Sequence, residues 1–225
     1  MKPTMIKLIV AALGAALCTE AAIVNGTSPI QMASKNLKND VRSGDPARLA
    51  GWSFKWNATG VALGNAASYV DLVPGSSGVY RDAGSVTGAD YTNSRGTDGE
   101  FINSVQIYND ATAGKWWLIS GADASHSTDG LDHALIIGYT VQPGQNGRYR
   151  ISTSGGNSAP SSFAVYVNDT RIDSVVYNSK ISDTYTVTTG ARMAGDTIYF
   201  AFSSESSYGR NERRWYGNIE ISQLG

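Results

Sequence analysis

The stretch Leu131–Phe202 constrains the fold more than any other part of this 225-residue chain. It reads LDHALIIGYTV, RYRISTSGGN, SFAVYVNDTRIDSVVYN and DTYTVTTGARMAGDTIYFAF, with QPGQNG, SAPS and SKIS between them. Apolar-rich segments broken by Gly, Pro, Asn and Ser clusters, with no helical period between them, predict successive strands and turns. In Phe163–Val167 the residues Phe163, Val165 and Val167 alternate with Ala164 and Tyr166, the period of a strand with two different faces. Asn168-Asp169 and Met193–Asp196 supply turns. The fold class expected is all-β: a two-sheet antiparallel β-sandwich, jelly-roll-like, of about ten strands and at most one short helix.

The N-terminus predicts the compartment. Lys2 and Lys7 precede Leu8–Leu17 (LIVAALGAAL), an apolar run too short to span a bilayer, and Thr19 and Ala21 fit a signal-peptidase cut before Ala22. Residues 1–21 are therefore expected to be a signal peptide, 22–47 an N-terminal edge strand or tether, and 48–225 the sandwich domain. The protein is then secreted, to the periplasm or beyond the cell. Cys18 is the single cysteine. Lipidation there is the alternative, though Leu17 is bulky where that processing needs a small residue. A mature chain without thiols draws its stability from packing or a bound metal. Formal net charge is −1 with 16% charged residues, which gives no electrostatic pull toward nucleic acid, and no second apolar span follows.

Upstream of the strand-rich stretch, Trp52, Phe54 and Trp56 alternate in a strand with an aromatic face, and Ser68–Val73 reads as another. Glu100–Asn109 has a mixed pattern, helix or strand, and Lys115–Ile119 is a short apolar strand. The segment 75–99 is a long Gly/Ser/Thr/Asp-rich loop.

The succession GWSFKWNATGVALGNAASYVDL, HALIIGYTVQPGQNGRYRIS, FAVYVNDTRI, MAGDTIYFAF and WYGNIEIS resembles the carbohydrate-binding-module-like β-sandwiches of secreted bacterial proteins, the galactose-binding-like or jelly-roll group. The likeness covers roughly Gly51–Ser222. It rests on PGQNGRYRIS, similar to that group's turn and strand, and on GDTIYFAF, similar to its penultimate strand. The resemblance implies a non-catalytic module whose partner is a polysaccharide or cell-surface glycan. This chain departs from the group after the GDTI strand, where Arg210, Arg213 and Arg214 stand in place of an Asp/Asn-rich loop.

Sugar rings present flat C–H faces on which Trp and Tyr stack, so the aromatics are the candidate binding residues. Trp116 and Trp117 are adjacent in a strand, which points one inward and one outward. Tyr208, Trp215 and Tyr216 form a second group with Arg210, Arg213 and Arg214, whose guanidinium forks suit a uronate or sulfate. Core filling is the alternative for each ring. Asp123, Asp129 and Asp132 around His126 offer oxygens for a structural Ca2+, the alternative being a solvated acidic turn.

Catalytic signatures are sparse. Two histidines and no nucleophile elbow give little basis for a Ser-His-Asp triad, and His133 reads as a packed strand residue. Asp71, Asp82, Asp90, Asp98 and Glu100 would serve a glycosidase only at a fixed separation. A small glycosidase or lyase, and a structural surface protein, stay open as alternatives. The sequons at Asn25, Asn57 and Asn168 carry no meaning in a bacterial protein.

Overall fold

The structure is a computed structural model. It describes residues 34–60, 62–74, 80–81, 105–110, 114–121, 133–156, 160–177, 184–204 and 214–224. The predicted signal peptide lies outside these residues. The described residues belong to one unit, Met32–Gly225, and none of their helices is long and apolar enough to cross a membrane.

Alternation builds the first sheet. Strands β8 (Leu135–Thr140), β10 (Ser161–Val167), β11 (Thr170–Tyr177) and β13 (Thr197–Ser204) join β2 (Trp52–Trp56) and β3 (Val70–Asp71), in the order β11-β10-β13-β8-β2-β3. Every pairing is antiparallel. Registration stacks the inner face into three rows: Trp52–Tyr139–Ile198–Val167, Phe54–Ile137–Phe200–Val165 and Trp56–Leu135–Phe202–Phe163. Ten of these twelve side chains are buried, while Trp52 and Trp56 are half-buried. The opposite face carries Ile136, Tyr166, Tyr199 and Ala201, covered by Leu63, Ala66 and Tyr69. This sheet is thus covered on both sides, which is why Leu135–Tyr139 reads as a continuous apolar run rather than an alternating one.

The facing sheet has the order β1-β15-β9-β12, from β1 (Ser34–Asn36), β15 (Asn218–Leu224), β9 (Arg148–Ser154) and β12 (Thr186–Thr188). Here one face is wet: Tyr149, Ile151 and Thr153 are buried while Arg148, Arg150 and Ser154 are exposed. Tyr149 and Ile151 of β9 and Ile219 and Ile221 of β15 join the inner rows of the first sheet in one core. An antiparallel β-sandwich results, as the strand-and-turn pattern predicts.

A third sheet, β14-β7-β6-β5-β4, shares that core. It comprises β4 (Val73–Pro74), β5 (Tyr80–Arg81), β6 (Gln106–Asp110), β7 (Lys115–Ile119) and β14 (Arg214–Trp215). Trp215 inserts its ring among Phe163, Phe200 and Phe202, at centroid distances of 4.9, 5.7 and 5.8 Å. Helices α1 (Leu37–Ser43) and α2 (Pro46–Leu49) are capped by Asn36 and Asp45, whose side chains accept from Asn39 N and Ala47 N. Two α-helices among the described residues exceed the single short helix expected.

Two predicted turns are tied to each other. Asn168 Oδ1 accepts from Thr197 N at 2.9 Å, and its amide donates to Asp196 Oδ1 at 3.1 Å. Asp196 Oδ2 accepts from Met193 N at 3.0 Å. The Met193 amide first, then Asn168, holds the Asp196 carboxyl below its ordinary range.

Candidate functional site

The third sheet places the predicted aromatics on two faces. On its core face lie Ile107, Leu118 and Trp215 in register, with Trp116 two residues before Leu118. Trp116 is 4% exposed and Trp215 is fully buried, so neither is a stacking platform; they are core residues. The reason is the register. Leu118 and Trp215 are direct partners, and strand alternation sends Trp116 the same way as Leu118.

Trp117 points away from that core, but it is not bare. Its ring stacks on Tyr108, its register partner, at 4.5 Å between centroids with planes 5° apart. Tyr216 meets Trp117 edge-on at 6.0 Å and 76°. Offset-stacked and edge-to-face geometries both place the positive edge or offset of one ring against the negative face of the next. Trp117 is 9% exposed, whereas Tyr216 is 52% exposed. Tyr216 is therefore the most exposed ring of this trio, Trp117 lies covered between the other two, and Tyr108 is half-buried.

The backbone beneath Tyr216 is tightly held. Tyr216 N donates to Gly156 O at 3.0 Å. Trp116 Nε1 donates to Gly217 O at 2.7 Å, a buried bond between residues far apart in sequence. A Cβ on Gly217 would overlap the Trp215 indole, so only glycine fits against that ring. Gly155, at φ +102°, passes so close that a Cβ there would lie 2.5 Å from Tyr216 O. Asn218 Oδ1 then accepts from Lys38 N at 3.0 Å, linking the corner to α1.

Of the remaining predicted site residues, the backbone of Arg214 pairs with Ile119 two positions before Tyr216. Tyr208, Arg210, Arg213 and the candidate metal ligands Asp123, Asp129 and Asp132 lie outside the described residues, as does His126. Among the described residues no group of three or more His, Cys, Asp or Glu side chains is placed to hold a metal. Tyr108 was not singled out by the sequence. Its signal was the Lys115–Ile119 strand next door, but the mixed pattern of Glu100–Asn109 hid which of its residues would face Trp117.

The carboxylates with described side chains are all engaged in structural bonds. Asp40 accepts from Arg48 Nε, Trp52 Nε1 and Asn36 N. Asp71 pairs with Lys55 at 2.6 Å. Asp169, Asp173 and Glu220 accept from Ala66 N, Tyr185 Oη and Asn36 Nδ2. Asp45 caps α2 and Asp196 its turn. His133 is 2% exposed and stacks on Trp56 at 5.5 Å, the packed placement expected of it. Asn57 is fully buried, which leaves no room for a glycan at its sequon.

These features define an antiparallel β-sandwich protein with a third sheet bearing an outward aromatic trio. No family model matches the chain, and no curated protein does. Among solved structures, a GH2 beta-galacturonidase from Eisenbergiella tayi is 16% identical over 41% of this chain and 17% of its own, with a TM-score of 0.29. The secreted serine protease VesC from Vibrio cholerae is 16% identical over 55% of this chain and 24% of its own, at 0.30. The enzymatically active domain of bacteriophage CBA120 tailspike protein 4 is 13% identical over 80% and 20%, at 0.27. This chain thus spans less than a quarter of each of those proteins. Superpositions this loose carry no argument about activity.

Proposed function

We propose that this protein is a secreted, non-catalytic glycan-binding module that uses Tyr216 as its stacking platform. The observation that carries the reading is the half-exposed Tyr216 ring, backed by Trp117 and Tyr108 and set on a fixed backbone corner. A pyranose ring laid on Tyr216 covers apolar C–H surface, and a platform already ordered costs little further entropy on binding. Arg210, Arg213 and Arg214, just upstream in sequence, are the proposed polar partners for hydroxyl or acidic groups of the sugar. The N-terminal signal pattern supports export to a compartment where such glycans are met.

Of the carboxylates an enzyme reading would use, Asp71 is paired with Lys55, while Asp82, Asp90, Asp98 and Glu100 lie outside the described residues. A glycan array, probed with wild type and with Tyr216→Ala, tests the proposal. Binding to one glycan class that the variant loses is expected. An empty array, or reducing-end release from a polysaccharide, would overturn it.

A further inference from the structure

We infer that Trp116 is the positioning residue of the Tyr216 platform, acting through the Gly217 carbonyl rather than by touching ligand. This rests on the glycan-binding reading above. Trp116 has two separable roles. Its ring fills the core beside Leu118, and its indole N–H reaches Gly217 O at 2.7 Å. Three contacts converge on the Tyr216-Gly217 corner: the Gly156 carbonyl on Tyr216 N, the Trp215 indole against Gly217, and the Trp116 donor on Gly217 O. Gly156 and Trp215 restrain the near side and the packing of the corner. Among the described residues Trp116 is the donor that ties the Gly217 carbonyl to β7, the strand that also carries Trp117. Together with the β14–β7 pairing, the hydrogen bond holds the distance and tilt between the Tyr216 and Trp117 rings, which meet near-perpendicular.

Phenylalanine at this position keeps most of the apolar filling and removes the donor, leaving a buried carbonyl unpaired. The corner then relaxes toward water, and Tyr216 must be re-ordered each time a sugar binds. Ordering one side chain on binding corresponds to roughly a threefold to tenfold loss of affinity.

The test uses Trp116→Phe on the whole secreted chain, with Ile137→Val in the first sheet as a core control away from the corner. Amide hydrogen exchange reads the seat without ligand. Trp116→Phe is expected to speed exchange of the Tyr216 amide well beyond that of the Ile221 amide, while Ile137→Val moves both alike. Retardation in native gels cast with xyloglucan or with polygalacturonate reads binding, and only Trp116→Phe should weaken it. In a Tyr216→Ala background the Trp116 substitution should cause no further loss. Equal acceleration at Tyr216 and Ile221, or an additive loss in the double variant, would overturn the inference. If neither polysaccharide retards wild type, these two glycans are removed as ligands, and the exchange result by itself decides whether Trp116 holds the corner.

Discussion

Gln145 satisfies two core hydroxyls at once. Its side-chain carbonyl accepts from Tyr139 Oη at 2.5 Å, and its backbone carbonyl accepts from Tyr149 Oη. Both tyrosines are fully buried residues of the sandwich core. Gln145→Ala strands the Tyr139 hydroxyl and is expected to cost about 1–3 kcal/mol, read by urea unfolding; an unchanged midpoint would contradict this role. The same burial governs ionisation. Desolvation, then the neighbouring Tyr149 and Asp40, pushes Tyr139 from an ordinary value of 10.0 up to about 12. Burial also raises Tyr69, Tyr149, Tyr166 and Tyr185. The folded state prefers the neutral phenol, so the stability tied to Tyr139 is complete below pH 10 and is lost as pH climbs toward 12. Tyrosinate absorbance at 295 nm should rise in separated early and late phases, and unfolding should accompany the late phase. All twelve tyrosines titrating together near pH 10 would refute this.

At the scale of elements, the segment from β1 to β2 knots the three sheets together. β1 pairs with β15, Arg42 donates to Asn109 Oδ1 of the third sheet and to Gly114 O in the turn before β7, and Asp40 binds Trp52 of the first. Asp40 is 4% exposed and holds Arg48 at 3.1 Å besides the Trp52 and Asn36 donors. Removing a carboxylate from such a network, with Arg48 itself half in solvent, is expected to cost about 2–3 kcal/mol. Asp40→Ala should also make the chain more sensitive to trypsin at Arg42 and Arg48. Resistance equal to wild type would show that the knot does not hold the segment. The helices and these side-chain bonds were not legible in the sequence, which offered only an edge strand or a tether here. LKNDVRS offers only Leu37 and Val41 at helical spacing, one turn of signal, too little to distinguish α1 from a polar tether. Strands β2, β8, β9, β10 and β13 were legible because their burial follows their polarity. β6 was ambiguous for the converse reason: Gln106 is as deeply buried as Val105 and Ile107 beside it, so no polarity alternation marks its two faces.

For the whole molecule, the sandwich follows from local pattern, and the third sheet does not. β4, β5 and β14 contribute two residues each, and β14 joins β7 from far along the chain. Pairing over such separations is set by the shared core, which no single stretch encodes. For that reason the sequence marks Trp116, Trp117, Trp215 and Tyr216 as one set of aromatics, while the fold divides them. Trp116 and Trp215 form the seat, Trp117 is the backing, and Tyr216 is the exposed ring. Tyr216→Ala should leave the fold within about 0.5 kcal/mol of wild type, as surface substitutions usually do. That makes its binding the most direct measurement of the central claim. Calorimetric titration of wild type and Tyr216→Ala with the glycan that scores highest on the array should show saturable binding that falls at least tenfold in the variant, with Tyr216→Trp retaining it. Equal affinity in wild type and Tyr216→Ala would contradict the assignment of this ring as the platform.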